Sequence, residues 1–391
     1  MARLHRLLPF DYAVLNLARR PVRTLLTGLS CALVAALLVA TAAFVRGLEQ
    51  SYAATAEPDS AILLNAASMK DVVRSAVPTA AADAVAADVA GILHVDGVAA
   101  VSPEIHMASW VRLGGPDGAR LQAFVRGVTE RAFLVHPRVT LTAGRPLDDG
   151  SLLVGRLAAE RLGVPASALA PGQRLFLEGA TFTIAGTFAA PGTTLESELW
   201  APLHRLRGLA KREDVSAIFV RVAARDAFRD LEYFATRRRD LELVFMTTAS
   251  YYGELSAYFA PLRALAWAMA LLIGIAALLT GANTLNAAVQ ERAAELATLR
   301  TLGYRSGPIA WSLLQESLLL SAAGGLLGLL LARLAVQGSS IRLAMSAFAL
   351  KVDPPAILIG LAGALALGLL GTLPAAWRIA KLPVARALGG G

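Results

Sequence analysis

Four long apolar runs and one mixed stretch divide the chain. Residues 24–46, 259–285, 309–332 and 356–377 are almost unbroken in Ala, Leu, Val, Ile and Gly. Each has at least the roughly 20 residues that a helix needs to cross a hydrocarbon core. The first run is too long for the apolar region of a signal peptide, so it is expected to be retained. Ahead of it, Leu7, Phe10, Tyr12, Val14, Leu15 and Leu17 mix with polar residues, which predicts that segment 1–23 lies on the cytoplasmic membrane surface as an amphipathic helix. Between the first two runs the pattern changes to short strand-like segments punctuated by Gly and Pro, over residues 47–258. Strands are predicted at 61–65, 99–113, 120–128, 215–222 and 241–246, and helices at 80–93 and 224–238. Joined up, these give βαβ twice, a ferredoxin-like half-sheet, with residues 140–209 as an inserted β-rich subdomain containing a hairpin around Glu178-Gly179-Ala180. Trp110, Phe124, Phe219 and Phe245 each fall in a strand-like run and are expected in the core. The fold class is therefore a membrane α-helical protein with four transmembrane helices, plus an extracytoplasmic α+β domain.

Composition supports that division. The 391 residues are 56% hydrophobic and 17% charged, too apolar for an ordinary soluble protein of this size. The lone cysteine, Cys31, lies inside the first apolar run, which excludes an intramolecular disulfide. The net charge of +8 is carried mainly by arginine, lysine occurring only at Lys70, Lys211, Lys351 and Lys381. In a membrane chain such a balance records orientation rather than nucleic-acid binding, and no nucleic-acid partner is expected. Arg3, Arg6, Arg19, Arg20 and Arg23, then Arg292, Arg300 and Arg305, then Arg378, Lys381 and Arg386 fall on one side, against Arg333, Arg342 and Lys351 on the other. Both termini, segment 286–308 and tail 378–391 are thus expected in the cytoplasm, with the large domain and loop 333–355 on the far side.

Catalytic signatures are missing. None of the lysines sits in a phosphate-binding loop, and the sequence has no His-Glu-x-x-His and no Gly-x-Ser-x-Gly. His5, His94, His106, His136 and His204 are scattered without ligand spacing and are assigned surface or packing roles. No catalytic, cofactor or metal site is expected in this chain.

The densest interruption of the apolar C-terminal half is Gln290 to Gly303, with Glu291 and Glu295 on one helix face, Leu296, Leu299 and Leu302 at helical spacing, and Gly303 as a stop. By spacing alone this is either an idle polar connector between spans or a docking knob for a soluble partner. In the third run Gln315 and Glu316 stand out, because an ionisable residue within a span is costly unless paired or near the interface; either a functional role or an interfacial one fits. Gly324 and Gly328 in the third span, and Gly360, Ala364 and Gly368 in the fourth, form small-residue ridges suited to close helix packing, within one protomer or between two.

Glu291-Arg292-Ala-Ala-Glu295-Leu296-Ala-Thr-Leu299-Arg300-Thr-Leu302-Gly303 resembles the cytoplasmic signature of the FtsX-like permease domain of MacB-type ABC systems. Gln315-Glu316 with Gly324-Gly325-Leu-Leu-Gly328 is similar to that family's third span, and Asn16 to Thr27 resembles its approach to the membrane. Ala143-Gly144-Arg145-Pro-Leu147 and the stretch from Gly172 to Phe188 look like its extracytoplasmic insertion, so the match spans nearly the whole chain. The resemblance implies an inner-membrane ABC transporter permease, paired with a second permease protomer as a homodimer or similar heterodimer and surrounded by membrane lipids. In fused members of the family the ATPase precedes the first span; residues 1–23 are all that precede it here, so a separate ABC ATPase dimer, with its own ATP and Mg, is expected. Glu291, Arg292, Glu295, Leu296, Leu299, Arg300, Leu302 and Gly303 would then be the coupling contacts. Such permeases are thought to act by mechanotransmission, moving their far-side domain for export or extraction of a peptide, lipoprotein, lipid or drug, with a periplasmic adaptor as a further partner. The alternative is a non-transporting FtsX-like regulator of a periplasmic partner such as a cell-wall hydrolase; a membrane enzyme or sensor is the weaker class.

Overall fold

A computed structural model describes residues 14–381 except 16, 18, 20, 69, 292, 303, 344 and 345. Most of segment 1–23, and tail residues 382–391, lie outside the described residues. The chain divides into two units, one made of residues 1–46, 261–339 and 350–391 and the other of residues 47–260 and 340–349.

The first unit holds four helices long and apolar enough to span a membrane, among the described residues: α1 Pro21–Thr55, α8 Ala260–Glu291, α10 Ser306–Val336 and α11 Pro354–Lys381. A shorter helix, α9 Ala293–Thr301, lies between α8 and α10. Helix α1 has 35 residues, about 52 Å at 1.5 Å per residue, and its last turns from Gly47 belong to the second unit. It runs past residue 46 because no helix breaker occurs until Pro58, whose ring disfavours helical geometry at Glu57. Helix α11 opens on a Pro-Pro pair, with Asp353 accepting from the Ala356 amide at 3.0 Å as a cap. The same carboxylate pairs with Arg46 of α1 at 2.8 Å.

The second unit is built on one continuous sheet. Its elements are β1 Ser60–Asn65, α2 Ala80–Asp88, β2 Val101–Leu113, β3 Arg120–Val128, α3 Ala132–Val135, β4 Thr140–Gly144, β5 Ser151–Gly155, α4 Ala158–Leu162, β6 Arg174–Leu177, β7 Ala180–Ala189, β8 Leu199–Pro202, α5 Leu203–Ala210, β9 Ala217–Arg221, α6 Phe228–Arg237, β10 Leu243–Thr247 and α7 Thr248–Tyr258. A hairpin of β11 Ser340–Leu343 and β12 Ser346–Ala349 completes it. Strand order is β10-β1-β9-β2-β3-β8-β5-β7-β4, with β6 bonded to both β7 and β2. Those last two pairings close β2, β3, β8, β5, β7 and β6 into a six-stranded barrel.

Segment 140–209, expected as a separate insert mounted on the half-sheet, instead shares a barrel with β2 and β3. The long strand β2 serves both parts: Val101–Glu104 pair with β9, and Val111–Leu113 pair with β6 along the same edge. Its other edge pairs Ile105–Arg112 with β3. The β6–β7 hairpin has a two-residue turn with positive φ at both Glu178 (47°) and Gly179 (87°), the geometry that matches strand twist. Alternation sends Val125, Leu152, Val154, Leu175, Phe182 and Leu199 into one buried cluster. Leu153 and Trp200, of opposite parity, and Phe188, beyond the bulge between Ile184 and Gly186 of β7, form a second cluster outside the barrel. Of the four aromatics expected in the core, Phe219 is fully buried and Phe124 and Phe245 are partly so. Trp110 is not: it is 50% exposed on the outer face of β2, opposite Gln122, with the Arg120 guanidinium 4.9 Å above its ring.

Candidate functional site

Three groups of residues singled out in the sequence have distinct placements. In the charged connector, α8 runs unbroken to Glu291 and α9 begins at Ala293; Arg292 and Gly303 lie outside the described residues, as does the side chain of Leu296. Glu291 and Glu295 are exposed and Arg300 is half-buried. The leucines divide: Leu302 is 72% exposed, whereas Leu299 packs against Val289, Ile309, Leu313 and Ala375 and so anchors α9 to the bundle. On α10, Glu316 is buried beside Ser317, and the Gln315 Oε1 atom is buried without a protein hydrogen-bond partner.

The small residues of α10 and α11 meet other helices of the same unit. A Cβ at Gly324 would fall 2.5 Å from the Gly28 carbonyl oxygen of α1, and one at Gly328 would overlap the Ala32 carbonyl. A Cβ at Gly360 would overlap Val39, one at Gly368 would overlap Ser321, and Ala364, fully buried, faces Gly325. Ser317 Oγ and Thr372 Oγ1 both donate to the Gly368 carbonyl, each at 2.8 Å, placing polar bonds at this crossing.

The most concentrated chemistry lies elsewhere, on the outer face of the barrel. Strand pairing sets Arg126 of β3 opposite His106 of β2 on one side and Trp200 of β8 on the other, and Glu104 shares a face with His106 by period two. Arg126 donates to both oxygens of Glu198, at 2.6 and 2.7 Å, and to Glu104 Oε2 at 2.7 Å. Glu104 also meets His136 Nε2 at 2.9 Å and His106 Nε2 at 3.3 Å, while Trp200 Nε1 donates to Glu198 at 2.9 Å. Phe219 stacks on His106 and meets His136 edge-on, with the Arg126 guanidinium 5.6 Å from its ring. All of these groups are buried.

Electrostatics follow from that burial. Desolvation alone would raise the Glu104 carboxyl, but His136 and Arg126, with hydrogen bonds from both imidazoles, hold it well below the usual range. Arg126 is likewise held well above its ordinary value by Glu198 and Glu104, against the effect of burial. Burial, aided by the Arg126 charge, lowers His106 to about 4. Burial pushes Tyr252 up to about 12 and raises Tyr251, so both phenols are neutral hydroxyls at ordinary pH. Among the described residues no His, Cys, Asp and Glu group forms a metal site. The cluster is an interlocked structural charge network with no unused nucleophile.

A pH dependence follows. Below an ordinary histidine value of 6.5 the unfolded chain takes up a proton that folded His106 refuses until about 4. Stability is therefore full above 6.5 and falls as the pH drops from 6.5 to 4, by about 3 kcal/mol at the end of that window. Glu104, with its lowered value, acts in the same direction as acid protonates it. Thermal unfolding against pH should show this loss, and His106→Gln should flatten the slope in that window; an equal slope in the variant would assign the effect to other groups.

The sequence flagged neither Arg126 nor Glu198, and it treated His106 and His136 as scattered. The available signal was local: charged residues at positions 104 and 126, inside the otherwise apolar stretches of strands 101–113 and 120–128.

Comparison with known proteins fits this architecture. The MacB-like periplasmic core domain family matches residues 24–232, and the FtsX-like permease C-terminal family matches residues 267–384. The chain is similar to the periplasmic region of MacB from Actinobacillus actinomycetemcomitans, with 12% identity and a TM-score of 0.40 over 51% of this chain and 94% of that one. It is also similar to the extracellular domain of the noncanonic ABC-type transporter YknZ from Gram-positive bacteria, with 13% identity and a TM-score of 0.36 over 48% of this chain and 98% of that one. A search of curated proteins gives no significant match. With one family spanning more than half of the chain and the other covering its C-terminal helices, the protein belongs to the FtsX/MacB-type ABC transporter permeases.

Proposed function

We propose that this permease couples ATP hydrolysis on a separate ABC ATPase dimer to movement of its soluble domain, for export or extraction of a peptide, lipoprotein, lipid or drug. The observation that carries this reading is the pairing of the two family matches, an FtsX-like helical unit and a MacB-like core, on one chain with four candidate spans. The excess of arginine at both ends and in the connector supports an inner-membrane location with cytoplasmic termini. Exposed Glu291, Glu295 and Leu302 support α9 and its flanks as the surface gripped by the ATPase. Helix α8 is the least buried of the four spans, which supports a second protomer against it. The order β10-β1-β9-β2, antiparallel throughout with α2 and α6 in its crossovers, supports a ferredoxin-like reading of that end of the sheet. The family matches give the regulatory alternative no support.

The test is ATPase activity of the purified permease–ATPase complex. Glu295→Arg should remove most of the stimulation that the permease exerts, because opposed like charges at a docking surface cost several kcal/mol and each 1.4 kcal/mol is about tenfold in affinity. Stimulation unchanged by charge reversal at both Glu291 and Glu295 would sink the coupling role of α9.

A further inference from the structure

The soluble unit contains a cavity of about 550 Å³ immediately above the buried charge network. Its wall is aromatic and aliphatic: Tyr52 from the end of α1, Phe124 from β3, Tyr251, Tyr252 and Leu255 from α7, and Phe259 just after it. That size and lining fall within the range of small-molecule sites, which span roughly 300–1,000 Å³.

The charges on the wall decide what can enter. Six Lys, Arg, His, Asp and Glu side chains face the cavity, and each already has a partner. Arg126 is shared between Glu198 and Glu104, and His106 is bonded to Glu104. At the rim Lys70 grips both oxygens of Glu254, at 2.7 and 2.9 Å, and Asp71 pairs with Arg74 at 3.5 Å while accepting from the Val73 amide. The hydroxyls of Tyr52 and Tyr252 are engaged by Ser346 and Arg126. A charged group entering this space would lose its water without gaining a counter-charge, a penalty that buried ions rarely sustain. A hydrocarbon or aryl group would gain from the same wall.

We propose that this cavity is a binding site for the uncharged hydrocarbon or aryl part of a small amphiphile, any charged part of which stays in water at the Lys70–Glu254 rim. Three of its wall segments are covalently continuous with candidate spans: Tyr52 with α1, Phe259 with α8, and Ser346 with the hairpin between α10 and α11. Two sources present the same chemistry, the acyl chain of a bilayer lipid and a soluble hydrophobic molecule.

Photolabelling of the full chain tests this. The probe is a neutral trifluoromethyl phenyl diazirine, compared with its benzoate analogue, with insertion mapped by peptide mass spectrometry. The neutral probe should insert saturably into the peptides carrying Phe124 and Tyr251–Phe259, and the benzoate at least tenfold less. Leu255→Trp and Val73→Trp, which narrow the space from α7 and from the rim, should each reduce saturable insertion at least tenfold while leaving the unfolding temperature near that of the parent. Weaker labelling in lipid nanodiscs than in lipid-free amphipol would name acyl chains as the natural competitor; equal labelling would name a soluble molecule. Non-saturable insertion, insertion indifferent to both substitutions, or equal labelling by the benzoate would overturn the proposal. No ATPase is present in this assay, so its failure leaves the permease reading standing.

Discussion

Arg126→Met is expected to lower the unfolding free energy of the second unit by about 3–5 kcal/mol, the usual result of removing one partner from a buried ion pair. The guanidinium is almost wholly enclosed and is the common partner of Glu198 and Glu104. Methionine fills much of the same volume but leaves two carboxylates facing Trp200, Phe219 and two imidazoles. The loss should be largely recovered when Arg126→Met is combined with Glu104→Gln and Glu198→Gln, since amides can bond one another without a net charge to bury. Urea titration of the full chain in nanodiscs, followed by tryptophan emission, measures it. A loss under about 1 kcal/mol would mean that water from the adjoining cavity solvates the cluster, and the network would then contribute little.

Gly328→Leu should be as damaging in the membrane unit. The Cβ of any replacement would collide with the Ala32 carbonyl and lie 2.8 Å from the Ala35 Cβ, both on α1, where backbone cannot yield as a side-chain tip can. Overpacking of this kind costs about 1–3 kcal/mol or more, and here the helices must separate along a crossing that Gly324 also shares. Gly274→Ala on α8 is the control, because a Cβ there meets nothing within 4 Å. Steric-trapping measurements in bilayers should show a large loss for the first variant and none for the second. Equal behaviour would mean that α1 and α10 do not depend on this contact.

What the sequence disclosed and what it concealed have physical reasons. The four spans were legible because each is a local run of apolar residues, and membrane helices satisfy their backbone within the run itself. The extension of α1 to Thr55 was missed because hydrophobicity marks where lipid ends, whereas helix continuation is set by breakers such as Pro58. Individual strands were legible by alternation, and the turn at Glu178-Gly179 by its chemistry. Barrel closure was not, because it depends on Val111–Leu113 meeting Leu175–Leu177, a pairing about sixty residues apart that no local pattern announces. The same distance hid the charge network: Glu104, Arg126, His136 and Glu198 come from four separate segments, and each alone reads as an ordinary polar residue. Gly324 and Gly328 were visible as a small-residue ridge, but which helix they meet, α1, is settled only by the packing of the bundle.

Strand β2 gives the second unit an indivisible character. Because one edge of it is bonded first to the open sheet and then to the barrel, neither part has a boundary at which it could be excised whole. A cut between residues 104 and 111 would sever the one strand that carries the open sheet into the barrel. Recombination between relatives would have to exchange the two together, and a lineage that inherited one would inherit the other.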